Sequence, residues 1–205
     1  MQINISSIIK KIPKLKTGQR FILGIDGLSR SGKSTLAKDL QHHLIQNEIP
    51  HFLIHIDNHI VEREKRYHTG REEWAEYYHL QWDVKELTRS MFSRLKNGRS
   101  LEVSFYNNES DTLSLQEVQL LETCLIIIEG VFLQREEWRP FFDYLVYLDC
   151  PKETRFLRES ERTQKNITKF QNRYWPAEDY YLKTVRPNQQ ADLVLYNNHM
   201  KKPAL

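Results

Sequence analysis

At 205 residues with 40% hydrophobic side chains, the chain has the length and apolar content for one α/β domain and is too short for a second full one. Its 30 basic and 27 acidic residues leave a net charge of only +3, which excludes a general electrostatic attraction to nucleic acid. Cys124 and Cys150 are too few for a disulfide framework; both sit within or beside apolar runs and read as buried thiols of a reducing, cytoplasmic compartment.

Residues 1–17 are expected to form an N-terminal helix, because Ile5, Ile8, Ile9 and Ile12 recur at helical spacing with Lys10, Lys11, Lys14 and Lys16 between them. Without aromatic anchors or a long apolar face, this helix should dock on the domain rather than on a membrane. No targeting signal is evident and no apolar run approaches the length of a bilayer span, so a soluble protein is expected.

The first apolar run, Phe21 to Ile25, reads as a buried strand. It leads into Gly27-Leu28-Ser29-Arg30-Ser31-Gly32-Lys33-Ser34-Thr35, which fits the phosphate-binding pattern G-x-x-x-x-G-K-[ST] and predicts binding of a nucleoside triphosphate such as ATP. Such a loop wraps backbone N–H groups around phosphate oxygens, so glycine is needed where a side chain would block close approach or where φ turns positive. Lys33 is placed to reach the β- and γ-phosphates and Ser34 to offer a hydroxyl to Mg²⁺. The helix opening near Lys33 directs its positive dipole end at the anion.

Leu36, Leu40 and Leu44 mark one face of that helix, and Pro50 the passage into a second strand, His51 to Ile56. Further strands are expected at Cys124 to Ile128, Tyr144 to Leu148 and Leu193 to Tyr196. Helices are expected at Val84 to Leu95, closed by Asn97-Gly98, at Leu115 to Leu121, and at Glu153 to Thr163, opened by Pro151. This alternation predicts an α/β fold of the P-loop NTPase kind: a three-layer α/β/α domain with a five-stranded parallel sheet. Ligands of such sheets lie beyond the carboxyl ends of the strands. Residues 58–110 are therefore expected to bind the acceptor, and residues 155–190 to supply an arginine-containing lid.

Asp57 ends the second strand on the same side as the phosphate loop, where a carboxylate can orient and deprotonate an attacking alcohol or hold Mg²⁺ through water. Glu129, a lone acid closing Leu125-Ile126-Ile127-Ile128, resembles a Walker B position, where a carboxylate serves Mg²⁺. His55, Asp57 and His59 are spaced by two, as in a transition-metal site on one strand face. Strand geometry is expected to end near Asp57 and no fourth ligand is indicated, so His55 reads as packing. Arg155, Arg158 and Arg162 share a helix face and, with Arg173 and Arg186, can neutralise a transferring phosphoryl group. A solvated charged face is the bland reading, given Glu153, Glu159 and Glu161 nearby.

With these residues in place, the chain resembles the uridine kinase-like group of P-loop kinases, which also includes nicotinamide riboside kinase, pantothenate kinase and phosphoribulokinase. The likeness spans roughly residues 18 to 197. Its anchors are Ile25-Asp26-Gly27 through Thr35, the Asp57 strand end, Gln81-Trp82-Asp83, Val103-Ser104-Phe105-Tyr106, Ile128-Glu129-Gly130-Val131, the Arg155 to Arg162 helix, and Ala191-Asp192-Leu193-Val194. The resemblance implies Asp57 as base toward a primary hydroxyl, Ser34, Asp57 and Glu129 serving Mg²⁺, and Arg158 and Arg162 as lid residues. It also implies Asp83 on ribose hydroxyls, with Trp82 and Tyr106 lining the acceptor pocket; from the residues alone, Asp83 could equally cap the helix beginning at Val84 and the two rings simply pack.

Two stretches depart from the family. Tyr106-Asn107-Asn108-Glu109-Ser110-Asp111 stands where uridine kinases carry Tyr-Asp-aromatic and then a pyrimidine-reading His, and Asp57-Asn58-His59-Ile60 replaces the usual Asp-Asp or Asp-x-Phe-Tyr. The implied activity is ATP- and Mg²⁺-dependent phosphorylation of a small molecule's primary alcohol, uridine or cytidine first. Another nucleoside, nicotinamide riboside or pantothenate is the alternative acceptor, and an NTPase switch is the rival of a different class. The expected partners are a nucleoside triphosphate and a small molecule, not nucleic acid or membrane, with a homo-oligomer left open.

Overall fold

The computed structural model describes residues 5–198. Helix α1 (Ser6–Ile9) is a single turn whose Ile8 is fully buried, and strand β1 (Arg20–Asp26) follows. Helix α2 (Lys33–Gln46) leads to β2 (His51–His55), a 3₁₀ turn over Ile56–His59, and the short helices α3 (Arg63–Arg66), α4 (Glu73–Leu80) and α5 (Val84–Ser90). A hairpin of β3 (Ser100–Asn107) and β4 (Thr112–Gln119) precedes β5 (Cys124–Gly130) and β6 (Tyr144–Asp149). The chain closes with α6 (Lys152–Leu157), α7 (Glu161–Gln164), α8 (Ile167–Lys169), a π-helical turn at Phe170–Tyr174, α9 (Trp175–Thr184), α10 (Pro187–Gln190) and β7 (Leu193–Tyr196).

Five strands form one sheet in the order β2-β5-β1-β6-β7, and every pairing is parallel. Alternation along the central strands divides the core. Leu23, Ile25, Leu125 and Ile127 meet Leu36, Leu40 and Leu44 of α2 together with Ile8. Ile22, Ile126 and Ile128 face the opposite way, toward Trp82, Phe92, Phe132, Trp138 and Tyr181. Burying both sheet faces under helices gives the three-layer arrangement expected of continuous apolar strands. Gly24 lets β6 approach, since a Cβ there would lie 2.2 Å from Leu145 Cδ2. The chain leaves β1 toward one edge of the sheet and β5 toward the other, so a crevice opens beyond their carboxyl ends.

The predicted helix at Leu115 to Leu121 is not one. Residues 112–119 are β4, paired antiparallel with β3 from Asn107↔Thr112 to Ser100↔Gln119. The spacing of Leu115, Val118 and Leu121 mimics a helix, yet Leu115 and Leu121 are exposed and the eight-residue ladder satisfies the backbone instead. The signal was the turn before it. Asn107 Oδ1 accepts from Glu109 N at 2.9 Å and Ser110 N at 3.2 Å, and Asp111 takes a positive φ of 56°. Two other helices are shorter than predicted: α5 stops at Ser90 and gives way to a 3₁₀ turn at Phe92–Arg94, and Glu153 to Thr163 divides into α6 and α7. Ser160 causes that division by capping α7, accepting from Thr163 N at 3.2 Å. Among the described residues no helix is long and apolar enough to cross a membrane.

Candidate active site

The phosphate loop joins β1 to α2. Gly32 takes φ +106°, and a Cβ there would meet Asn197 Nδ2 at 2.6 Å, so both conformation and space require glycine. Arg30 also adopts a positive φ, of 60°. Lys33 Nζ donates to Leu28 O at 3.0 Å, which folds the side chain back over its own loop. Burial pushes the Lys33 ammonium's pKa down, opposed by the negative charges of Glu129, Asp57, Asp26 and Glu178. A buried cation among these groups is a ready partner for phosphate oxygens.

The outside of the loop is tied to the segments that follow β6. Arg158 Nη1 donates to Arg30 O at 2.8 Å and Ser31 O at 3.1 Å, and its Nη2 to Asn197 O at 3.1 Å. Arg155 makes a bidentate pair with Glu178, at 2.8 and 2.9 Å, and also donates to Ser29 O at 3.1 Å. Both members of that pair are buried. Burial raises the Glu178 carboxyl pKa, and Arg155 opposes the shift.

Beyond the loop, Ser34 Oγ donates to Glu129 Oε1 at 2.9 Å. Glu129 is the β5 residue in register with His55 of β2, whose Nδ1 lies 2.6 Å from the same Oε1. Asp57 follows in the 3₁₀ turn, opening on the cleft. Its carboxylate is accessible from the cleft, yet the walls withhold enough bulk water to raise its pKa, with Lys33 pulling it down and Glu129 pushing it up. Ser34, Asp57 and Glu129 offer a hydroxyl and two carboxylates, hard oxygen donors that suit Mg²⁺ better than a transition metal. Among the described residues no group of three His, Cys, Asp or Glu is placed to hold a metal by itself. His59 turns away, its Nδ1 2.9 Å from Ser104 O and its ring against Phe105.

These groups line a cleft of about 840 Å³. Ile60, Tyr77, Gln81, Val131, Phe170 and Tyr174 line the same cleft. Tyr77 and Tyr174 meet edge to face with centroids 5.1 Å apart. Gln81 is buried, and its Oε1 has no hydrogen-bond partner. Such an orphan acceptor is unfavourable by about 1–3 kcal/mol until something donates to it.

Of the residues singled out from sequence, Ser29, Arg30, Gly32, Lys33, Ser34, Thr35, Asp57, Glu129 and Arg158 share this cleft. Gly27, Leu28 and Ser31 complete the loop from behind, with Leu28 and Ser31 buried. Trp82, Asp83 and Tyr106 do not line the cleft. Trp82 is buried, donates its indole N–H to Ile56 O at 3.0 Å and packs edge-on to Phe132 and Trp138. Asp83 is the exposed N-cap of α5, accepting from Glu86 N at 2.9 Å. Tyr106 donates to Asp111 Oδ1 at 2.8 Å and accepts from Arg66 at 3.0 Å, bracing the hairpin against α3. Arg162 is exposed on α7, outside the cleft lining. Sequence reasoning missed Tyr77, Gln81, Phe170 and Tyr174, and it took His55 for packing where the structure pairs it with Glu129. It also missed the role of Asp26, buried at the end of β1, which accepts from Tyr181 Oη at 2.6 Å and Gln134 Nε2 at 2.9 Å and so ties the loop's strand to α9.

The AAA domain family matches residues 23–176. A solved structure described as a possible uridine kinase from Bacillus stearothermophilus is 54% identical, with a TM-score of 0.79 over 92% of this chain and 93% of that one. A uridine kinase from Halobacterium salinarum is 27% identical over 168 residues, covering 82% of this chain and 72% of the relative. Phosphoribulokinase from Rhodobacter spheroides shares the fold at 14% identity, with a TM-score of 0.63 over 87% of this chain and 70% of that one.

Proposed function

The chain belongs to the AAA domain family and is a uridine kinase-like P-loop kinase, and from that premise we propose an ATP- and Mg²⁺-dependent phosphotransferase acting on the primary alcohol of a small molecule, uridine or cytidine first. The observation that carries this reading is the cleft itself: Lys33, Ser34, Glu129 and Asp57 line it together with the rings of Tyr77, Phe170 and Tyr174 and with Gln81, whose amide oxygen is unsatisfied. On this reading a nucleotide's phosphates take the first set, the phosphate end, and an uncharged acceptor the second, the acceptor end.

In this mechanism the loop amides and Lys33 hold the phosphates of ATP, and the α2 N-terminus adds its positive dipole end. Asp57 accepts the proton of the acceptor hydroxyl as its oxygen attacks the γ-phosphorus, and ADP leaves. Ser34, Glu129 and Asp57 would hold Mg²⁺, which supplies positive charge to the phosphate oxygens. Arg158, bound to the carbonyls of Arg30 and Ser31, holds the loop's shape. Tyr77, Phe170 and Tyr174 exclude water around the acceptor.

A second reading, a kinase for another hydroxyl-bearing metabolite, draws support from the acceptor end. Of the four acids that line the cleft among the described residues, Glu129 bonds Ser34 and Glu159 pairs with Arg30 at 2.9 Å, which leaves Asp57 and Asp39 of α2. Two of the four are thus already committed to protein partners rather than to a ribose diol. The test is Mg²⁺-dependent ADP formation by the purified protein with uridine, cytidine, other nucleosides, nicotinamide riboside and pantothenate, run beside Asp57→Ala. Turnover stimulated by uridine or cytidine and lost in the variant supports the first reading. Stimulation only by a different compound replaces it with the second, and no stimulation by any compound removes the pyrimidine assignment.

A further inference from the structure

His55 closes β2 directly across from Glu129, its register partner on β5. Register partners on neighbouring parallel strands project to the same sheet face, and here the side chains meet with Nδ1 2.6 Å from Oε1. An ionised carboxylate only accepts, so the ring nitrogen in this contact carries the proton. Ser34 Oγ reaches the same Oε1 at 2.9 Å from the first turn of α2. One carboxylate oxygen is thus shared by two donors, one from the start of α2 and one from the edge strand.

The imidazole is not part of the cleft. It lines a small separate void of about 40 Å³ with Phe52, Leu53 and Met91. Its hydrogen-bonded link to the phosphate end runs through the carboxylate. A glutamate side chain has three rotatable bonds, and for Glu129, buried but bordering the cleft, Ser34 is the other donor among the described residues.

We infer that His55 is a positioning residue whose Nδ1–H fixes the Glu129 carboxylate on Ser34, so that the Mg²⁺-binding oxygens are set before nucleotide arrives. The inference rests on the nucleotide-kinase reading above. Groups that orient a metal-binding carboxylate typically change metal affinity by about 10- to 100-fold when removed. A residue that merely packs would not discriminate between nucleotide with and without the ion.

The experiment is calorimetric titration of ATP into the protein with Mg²⁺ and again in EDTA, for wild type, His55→Phe and His55→Asn. Phenylalanine keeps the ring and removes the donor; asparagine removes the ring and keeps an N–H near the Nδ1 position. His55→Phe is expected to lose about tenfold of the Mg²⁺-dependent affinity while its affinity in EDTA stays within about twofold. His55→Asn should keep most of the Mg²⁺-dependent gain, and adding His55→Phe to Glu129→Gln should cost nothing further. A His55→Phe protein with the wild-type Mg²⁺ gain, or a His55→Asn protein as impaired as His55→Phe, overturns the positioning role. A wild type that gains nothing from Mg²⁺ overturns the nucleotide-kinase reading instead.

Discussion

The phosphate end of the cleft is made of residues that are neighbours in the chain or close two adjacent strands, whereas the acceptor end takes Ile60, Tyr77, Gln81, Phe170 and Tyr174 from segments scattered across the domain. Phosphate is bound mainly by backbone N–H groups, so the chemistry dictates glycine, lysine and a hydroxyl at fixed positions. An uncharged acceptor is bound by side chains whose direction depends on how short helices pack, and no fixed spacing follows. The first end is therefore a constraint on sequence and the second a constraint on tertiary structure.

Lys33→Ala and Asp57→Ala are expected to have the largest effects, each lowering kcat/KM by about a thousandfold, with different signatures. Lys33→Ala should also weaken ATP binding measured by calorimetry. Asp57→Ala should leave ATP binding in EDTA nearly intact, because Asp57 serves the acceptor hydroxyl and Mg²⁺ rather than the phosphates themselves. The pH dependence follows from the raised Asp57 pKa. Only the ionised base takes a proton, so activity should climb with pH through that value and level off above it, with the climb displaced upward from the ordinary carboxylate range near 3.8. An acid limb at or below that range would remove Asp57 as the base.

The arginines divide the molecule in a second way. Arg155, read from sequence as a phosphate-neutralising group, is committed to Glu178 in a fully buried pair. Glu178→Ala leaves that guanidinium uncompensated and should cost about 3 kcal/mol of stability in a denaturant titration. Loss of less than about 1 kcal/mol would return Arg155 to the candidates for substrate contact.

At the acceptor end the expected effect is smaller and falls on a different constant. Gln81→Leu removes the unpartnered amide oxygen while keeping the side chain's approximate volume. It should raise KM for the acceptor about tenfold, with kcat and KM for ATP little changed. An unchanged acceptor KM would mean that Gln81 bonds only to water.

Much of the fold was legible because the five parallel strands are continuous apolar runs, each punctuated by glycine, proline or a lone acid. The hairpin was not, because the helical spacing of Leu115, Val118 and Leu121 outweighed the Asn107 turn that fixes its register. Asp57 and Glu129 were legible as acids closing apolar strands. Trp82, Asp83 and Tyr106 lie outside the cleft lining, a placement that a family pattern of residue types, carrying no packing, did not anticipate. A helix of two turns at Glu73–Leu80 directs Tyr77 into the cleft, and the segment after it turns Trp82 into the core.

The smallest effect is expected at Arg162, and it separates a lid that moves from a lid already docked. Arg158 and Arg162 occupy equivalent faces of one predicted helix, but Ser160 ends that helix and starts another. Arg158 consequently reaches the carbonyls of Arg30, Ser31 and Asn197, while Arg162 points to solvent from α7. If this arrangement persists through turnover, Arg158→Ala should lower kcat/KM about fivefold by loosening the loop, and Arg162→Ala should change it by less than about twofold. A loss in Arg162→Ala of about a hundredfold in kcat, with ATP affinity retained, would mean that α7 swings onto the nucleotide when both substrates are bound. The acceptor end would then be completed only in the closed state, and the contrast between its ends would be one of timing as well as of construction.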